Sequence, residues 1–225
     1  LWERDIDDKM ATHVRLGASS QDLAMELVEP ELAPLAKPDV VCLSAMRRFI
    51  DAHSVVDDMP LGIMLGDFSH IEVAGPQEAA HAQVRAMIMH MATLSSPQAL
   101  RMAVLCSEKN KGEWEWMKWL PHIRSTEAAD ALGPARMVTT DPGELMQLLG
   151  DKFTGRGVFR TRSEATEWPH LFLLLDDVSL PADSSLGRIG GVDGVTVVRT
   201  MTSWGPMTSR ATLRMILHPG ARPGD

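Results

Sequence analysis

The chain has 225 residues and a formal net charge of -8. That acidic balance excludes a broad nucleic-acid-binding face, which needs clustered Lys and Arg. Hydrophobic residues at 44% and charged residues at 23% give a globular composition, and the length suffices to bury a sizeable core.

Two cysteines, Cys42 and Cys106, make neither a disulfide framework nor a zinc site. No apolar run is long enough to span a bilayer, so no membrane insertion is expected of these residues. Fifteen methionines and no tyrosine read as core and interface filling. The chain starts Leu-Trp-Glu and finishes HPGARPGD, and both ends read as cuts in a longer protein.

Residues 1–60 differ in character from the rest and are expected to form an N-terminal extension packing on the core. HVRL (13–16) and AMELV (24–28) read as short strands. Pro30, Pro34 and Pro38 punctuate a linker. LSAMRRFIDAH (43–53) reads as a helix capped by Ser44, with Leu43, Met46, Phe49 and Ile50 as its apolar stripe. Its Arg47-Arg48 pair reads as a solvated face.

An α/β pattern then runs over 61–218. Leu61–Leu65 and His70–Ala74 read as adjacent strands joined by GDFS. A helix from Gln77 places Ala80, Val84, Met87, Ile88 and Met91 on one face. RMAVLC (101–106) has the composition of a strand buried in a parallel sheet, with Cys106 a buried thiol. EWEWMKWL (113–120) reads as one helix. A short strand over 136–139 leads into the helix PGELMQLLGDKF, opened by a capping box of Asp141 and Glu144. Residues 154–169 form a polar loop. LFLLL (171–175) ends at Asp176-Asp177, and VTVVR (195–199) and ATLRMIL (211–217) are the last strands. Residues 219–225 are expected to be a linker to a further domain. Strands alternating with helices predict a mostly parallel sheet covered on both faces, with any ligand at the carboxyl ends of the strands.

One stretch has the layout of a phosphate-binding loop. Ile71–His90 reads strand, Gly-Pro turn, long helix. A working loop is G-x-x-x-x-G-K-[ST], where backbone N–H groups surround phosphate, the lysine reaches the terminal phosphates and the hydroxyl binds magnesium. With Gly75 as the first glycine, the interior holds Pro76, Gln77, Glu78 and Ala79. Ala80, His81 and Ala82 replace the second glycine, the lysine and the hydroxyl residue. Pro76 has no N–H to give. Glu78 adds charge of the wrong sign, and Ala82 cannot ligate a metal. His81, with an ordinary pKa near 6.5, is expected to be an exposed, mostly neutral helix histidine.

Asp176 and Asp177 stand where a nucleotide-hydrolysing site keeps an acid for magnesium and a second acid for the attacking water. They are weak catalytic candidates, and Asp176 is a weak metal candidate; simple solvated strand-end carboxylates are the alternative. Trp114, Trp116 and Trp119 supply half of the six tryptophans. Trp116 and Trp119 can share a helix face while Trp114 points elsewhere, and all three are interface candidates.

Taken in order, VAGPQEAAHAQVRAMIMHMATLSSP, LRMAVLCSE, WEWMKWLPH, ARMVTTDPGELMQLL and PHLFLLLDD resemble an FtsK/SpoIIIE-type ATPase domain. LWERDIDDKMATHVRLG and MRRFIDAH are similar to the membrane ATPases of type VII (ESX) secretion systems. The matching segment there lies between the transmembrane helices and the first ATPase domain and has a degenerate ATPase fold. The resemblance implies a RecA-like α/β sheet and a place at the cytoplasmic face of the inner membrane. Other subunits of the secretion complex and downstream ATPase domains are the implied partners. Because Glu78, Ala80, His81 and Ala82 depart from the family pattern, the expected role is non-hydrolysing, with no cofactor. The alternative is an ATPase with an atypical loop, using ATP, magnesium and an arginine such as Arg199, Arg210 or Arg214.

Overall fold

The computed structural model describes residues 1–31, 37, 39–160, 168–181, 184–207 and 209–218. The expected linker over 219–225, Pro34 and Pro38 of the earlier one, and part of the polar loop 154–169 lie outside the described residues. The chain divides into two compact units, one of Leu1–Val14 with Ile63–Asp225 and one of Arg15–Gly62.

The chain begins with β1 (His13–Asp22), α1 (Val40–His53) and β2 (Val55–Met64). Then come β3 (His70–Ala74), α2 (Gln77–Leu94), β4 (Leu100–Cys106) and the short α3 (Lys111–Trp114). β5 (Arg124–Asp130) and β6 (Gly133–Arg136) form a hairpin. β7 (Val138–Thr139), α4 (Pro142–Leu149), α5 (Asp151–Thr154), β8 (His170–Asp176), β9 (Val195–Met201) and β10 (Thr212–Ile216) complete the order.

Six strands form one parallel sheet in the order β10-β3-β9-β8-β4-β7. This is an α/β, P-loop-NTPase-like arrangement. Every residue of β8 is buried, and six of seven in β4 are. Such strands are viable only with both faces covered, which is why they lie at the middle of the sheet. β9 and β8 separate β3 from β4 in the sheet, although only α2 separates them in sequence. α2 buries Ala80, Val84, Met87, Ile88 and Met91, the expected face, together with His81.

Several local expectations change. β2 pairs with β1, not with β3. β3 is almost wholly buried and fits the interior of the parallel sheet, whereas β2 is largely exposed. AMELV is not a strand. α1 begins a turn early because Asp39, not Ser44, caps it, accepting from the N–H groups of Val41 at 2.7 Å and Cys42 at 3.2 Å. The tryptophan segment is not one helix. α3 ends at Trp114, a 3-10 turn covers Glu115–Trp119, and Leu120 is extended ahead of Pro121, as residues before proline prefer. The helix PGELMQLLGDKF breaks at Gly150, whose φ of 60° ends α4. Asp141 does cap α4, accepting from Gly143 and Glu144 N–H.

Candidate functional site

Register brings the carboxyl ends of four strands together. Ala74 of β3 lies opposite Met201 of β9, Thr200 of β9 opposite Asp176 of β8, and Asp176 opposite Cys106 of β4. A cleft of about 560 Å³ opens on this edge, and Gly75, Lys109, Asp177, Arg199, Thr202 and Ser203 are among its lining residues. Gly75 and the Asp176-Asp177 pair therefore share one edge of the sheet.

The segment after β3 is wound as helix. Gly75 has φ 148°, and a Cβ there would meet the Leu217 carbonyl oxygen at 2.5 Å, so glycine is required. Pro76 is the N-cap residue and α2 begins at Gln77. The Ala80 N–H already donates to the Pro76 carbonyl at 3.0 Å. Gln77, Glu78, Ala79, Ala80, His81 and Ala82 thus occupy the first turns of α2 rather than a loop wrapped around an anion. Glu78, in the first turn, suits the positive end of the helix dipole.

Asp176 lies behind this turn with 1% of its surface exposed. Its Oδ1 accepts from His81 Nε2 at 3.0 Å and from the Thr200 hydroxyl. Its Oδ2 accepts from Trp114 Nε1 at 2.8 Å. The His81 and Trp114 rings meet edge to face with centroids 5.2 Å apart. A buried carboxylate is costly unless its oxygens receive such donors. His81 is therefore not an exposed histidine: it is 3% exposed and bonded to the acid. Trp114 is wholly buried, so it cannot act as a docking surface.

Asp177 faces the other way. Its φ is 56°, and its carboxylate pairs with Lys109 Nζ at 2.6 Å on the surface. Hydrogen bonding and charge from Lys109 hold the Asp177 carboxyl below the usual range. Of the three candidate arginines, Arg199 lines the cleft. Arg214 is held by Glu72 at 2.7 Å and the Gly205 carbonyl at 2.8 Å, and Arg210 is exposed. Trp116 is half-buried and donates to the Glu113 carbonyl. Trp119 is 79% exposed and shares a surface pocket with Leu132, itself 97% exposed. Among the described residues no group of three or more His, Cys, Asp or Glu could hold a metal ion, and no helix is long and apolar enough to cross a membrane.

Thr200 and Lys109 escaped sequence reading, and only strand register or tertiary contact reveals them. His81 was legible. Its spacing of three and seven to Val84 and Ile88 puts it on the buried stripe of α2.

No family model matches the chain. It is 36% identical over 219 residues to the ESX secretion system protein EccC of Thermomonospora curvata, covering 97% of this chain and 16% of that protein. It is 35% identical over 202 residues to the ESX-3 secretion system protein EccC3 of Mycobacterium tuberculosis, covering 90% and 15%. To the ESX-4 secretion system protein EccC4 of the same species it is 36% identical over 149 residues, covering 66% and 12%. The chain spans about a sixth of the length of the first two relatives.

Proposed function

Because this chain belongs to the family of ESX secretion-system EccC proteins, we propose that it is a non-hydrolysing structural and coupling domain of a type VII secretion translocase. In this reading it sits at the cytoplasmic face of the inner membrane. It links the membrane part to the motor domains and contacts neighbouring subunits of the complex. The observation that carries the proposal is the closed network on Asp176. The two positions that would serve nucleotide, the loop lysine and the magnesium acid, are His81 and Asp176, and they bind each other. Trp114 and Thr200 take further lone pairs of that acid.

Magnesium and ATP do not fit this residue set. A hydrated magnesium ion needs an accessible carboxylate and usually a hydroxyl ligand. Asp176 is buried behind three donors, and Ala82 has no hydroxyl. The helix-wound segment 77–82 lacks the loop of free N–H groups that grips phosphates. The exposed pair of Trp119 and Leu132 supports a docking role, since exposed tryptophan is characteristic of interface anchors.

One feature favours the alternative of an atypical ATPase. The cleft remains open and is lined by Asp176 as well as by Asp177, Lys109 and Arg199. Asp177→Asn in the full-length protein separates the two readings. Secretion retained by this variant supports the coupling role. Secretion lost while the complex still assembles would support hydrolysis.

A further inference from the structure

The β5–β6 hairpin sets like charges against each other. Arg124 and Arg136 are direct cross-strand partners, and cations so placed repel. Among the described residues neither is in an ion pair, and nor is Arg101 or Lys118. Arg136 donates to carbonyls, those of Lys118 at 3.0 Å and Pro134 at 2.7 Å. Arg124 and Arg101 line a cleft of about 730 Å³ that reaches Pro134. Arg101 is half-buried and its Nε is enclosed without a partner. Its Nη1 meets the carbonyls of Pro121 at 3.5 Å and Arg124 at 3.4 Å, both long for a hydrogen bond. Burial holds its pKa below the ordinary value. A guanidinium drawn out of water without a counter-ion is costly, so this cleft has a place for an anion. Across Pro134 a smaller cleft of about 240 Å³ is lined by Lys118, Arg136, Trp119 and Leu132. Both clefts lie away from the Asp176 edge, since Arg101 is near the amino end of β4.

The acids lining the two clefts are Asp5 and Asp130. Both are already hydrogen-bonded: Asp5 accepts from the Ser96 hydroxyl at 2.6 Å and the Ile6 N–H at 2.8 Å, and Asp130 from the Leu132 N–H at 2.7 Å. Arg101, Arg124, Lys118 and Arg136 outnumber them by two. Charges more than about 8 Å away are screened at physiological salt, so these local cations, not the net charge of -8, decide what the clefts attract. The planar fork of arginine matches a carboxylate. Trp119 and Leu132, 79% and 97% exposed, add an apolar seat that a bare anion does not use. A flat lipid surface cannot follow the cleft down to half-buried Arg101. We propose that the clefts on either side of Pro134 bind an acidic peptide segment of another protein, its carboxylates on Arg101 and Arg124 and an apolar side chain on Trp119 and Leu132. This extends the docking role given to Trp119 and Leu132 and is independent of whether nucleotide binds at the sheet edge.

The test is a titration of the 225-residue chain into a dye-labelled peptide of about ten residues, leucines flanked by glutamates, read by fluorescence anisotropy. Saturable binding that weakens as salt rises is expected, and the same peptide with Lys for Glu should not bind. Arg124→Glu should weaken binding at least tenfold. Arg124 is exposed, and the change turns an opposed like pair into an attractive one, so this variant should melt no lower than the parent. Trp119→Ala, at another exposed position, should weaken binding about tenfold. Absence of binding, equal binding of the Lys peptide, or unchanged affinity in either variant overturns the proposal. Displacement of the peptide by inorganic phosphate at constant ionic strength overturns it by revealing a site for simple anions. Displacement by phosphatidylglycerol vesicles overturns it by identifying a lipid surface as the occupant. The readout is peptide binding, so its failure leaves the nucleotide question at Asp176 untouched.

Discussion

Asp176 is where the chemistry of this sheet edge is decided. A strand-end carboxylate in water costs nothing, but a carboxylate with 1% exposure must be compensated by donors. His81, Trp114 and Thr200 are those donors. Asp176→Ala leaves two buried donors, on His81 and Trp114, and the half-buried Thr200 hydroxyl without their acceptor. It should destabilise the fold by about 3–5 kcal/mol, read as a fall in the denaturation midpoint at constant m-value. Trp114→Phe keeps the ring in place and removes only the N–H. It should cost about 1–3 kcal/mol by the same measurement. A metal-binding acid would behave oppositely, because its removal relieves charge crowding in the metal-free protein. His81 and Asp176 are each legible in the sequence, but their hydrogen bond, across 95 residues, is not. The helical spacing of His81 to Val84 and Ile88 places it on the inward face, which alignment with a loop motif does not reveal.

The elements were unequally legible. β4 and β8 are continuous apolar runs, and that composition alone marks interior parallel strands. Asp141 ahead of Glu144 announced α4, but only half of the capping box forms. Asp141 caps the helix, while Glu144 accepts from the Thr139 hydroxyl and the Asp141 N–H goes to Thr139 as well. Asp141→Ala should therefore cost about 0.5–2 kcal/mol in thermal stability. The β5–β6 hairpin, the break in the tryptophan segment and the pairing of β2 with β1 were not legible. The pairing of β2 with β1 depends on a partner distant in sequence, and β5 and β2 lack the alternating apolar pattern that marks a half-buried strand. The turn between β3 and α2 is fixed by close approach: Gly75→Ala forces a Cβ onto the Leu217 carbonyl at a positive φ. It should destabilise the protein by about 1–3 kcal/mol, with refolded material showing an unchanged sheet signal.

At the scale of the molecule, several buried histidines tie stability to pH. Burial lowers His70 and His122, and it lowers His170 to about 3. In the unfolded chain each takes up a proton near pH 6.5. Between about 6.5 and 3 the unfolded state therefore binds the His170 proton and the folded state does not. Stability is full above pH 6.5 and falls as the pH drops through that window, by about 1.4 kcal/mol per pH unit for each proton excluded. His170→Gln should remove one proton's share of that slope in denaturant titrations between pH 7 and 5. The overall architecture was the most legible level of all. Strand and helix alternation indicated the parallel sheet, and the resemblance across the whole chain indicated the family.

The coupling role stands or falls on whether this edge takes nucleotide. Isothermal calorimetry of the purified 225-residue chain with millimolar ATP and magnesium tests that directly. The account predicts no saturable heat and no rise in melting temperature, because His81 and Asp176 already occupy each other. Saturable binding with a matching rise in melting temperature, reduced in Asp177→Asn, would contradict it and return the cleft to nucleotide chemistry.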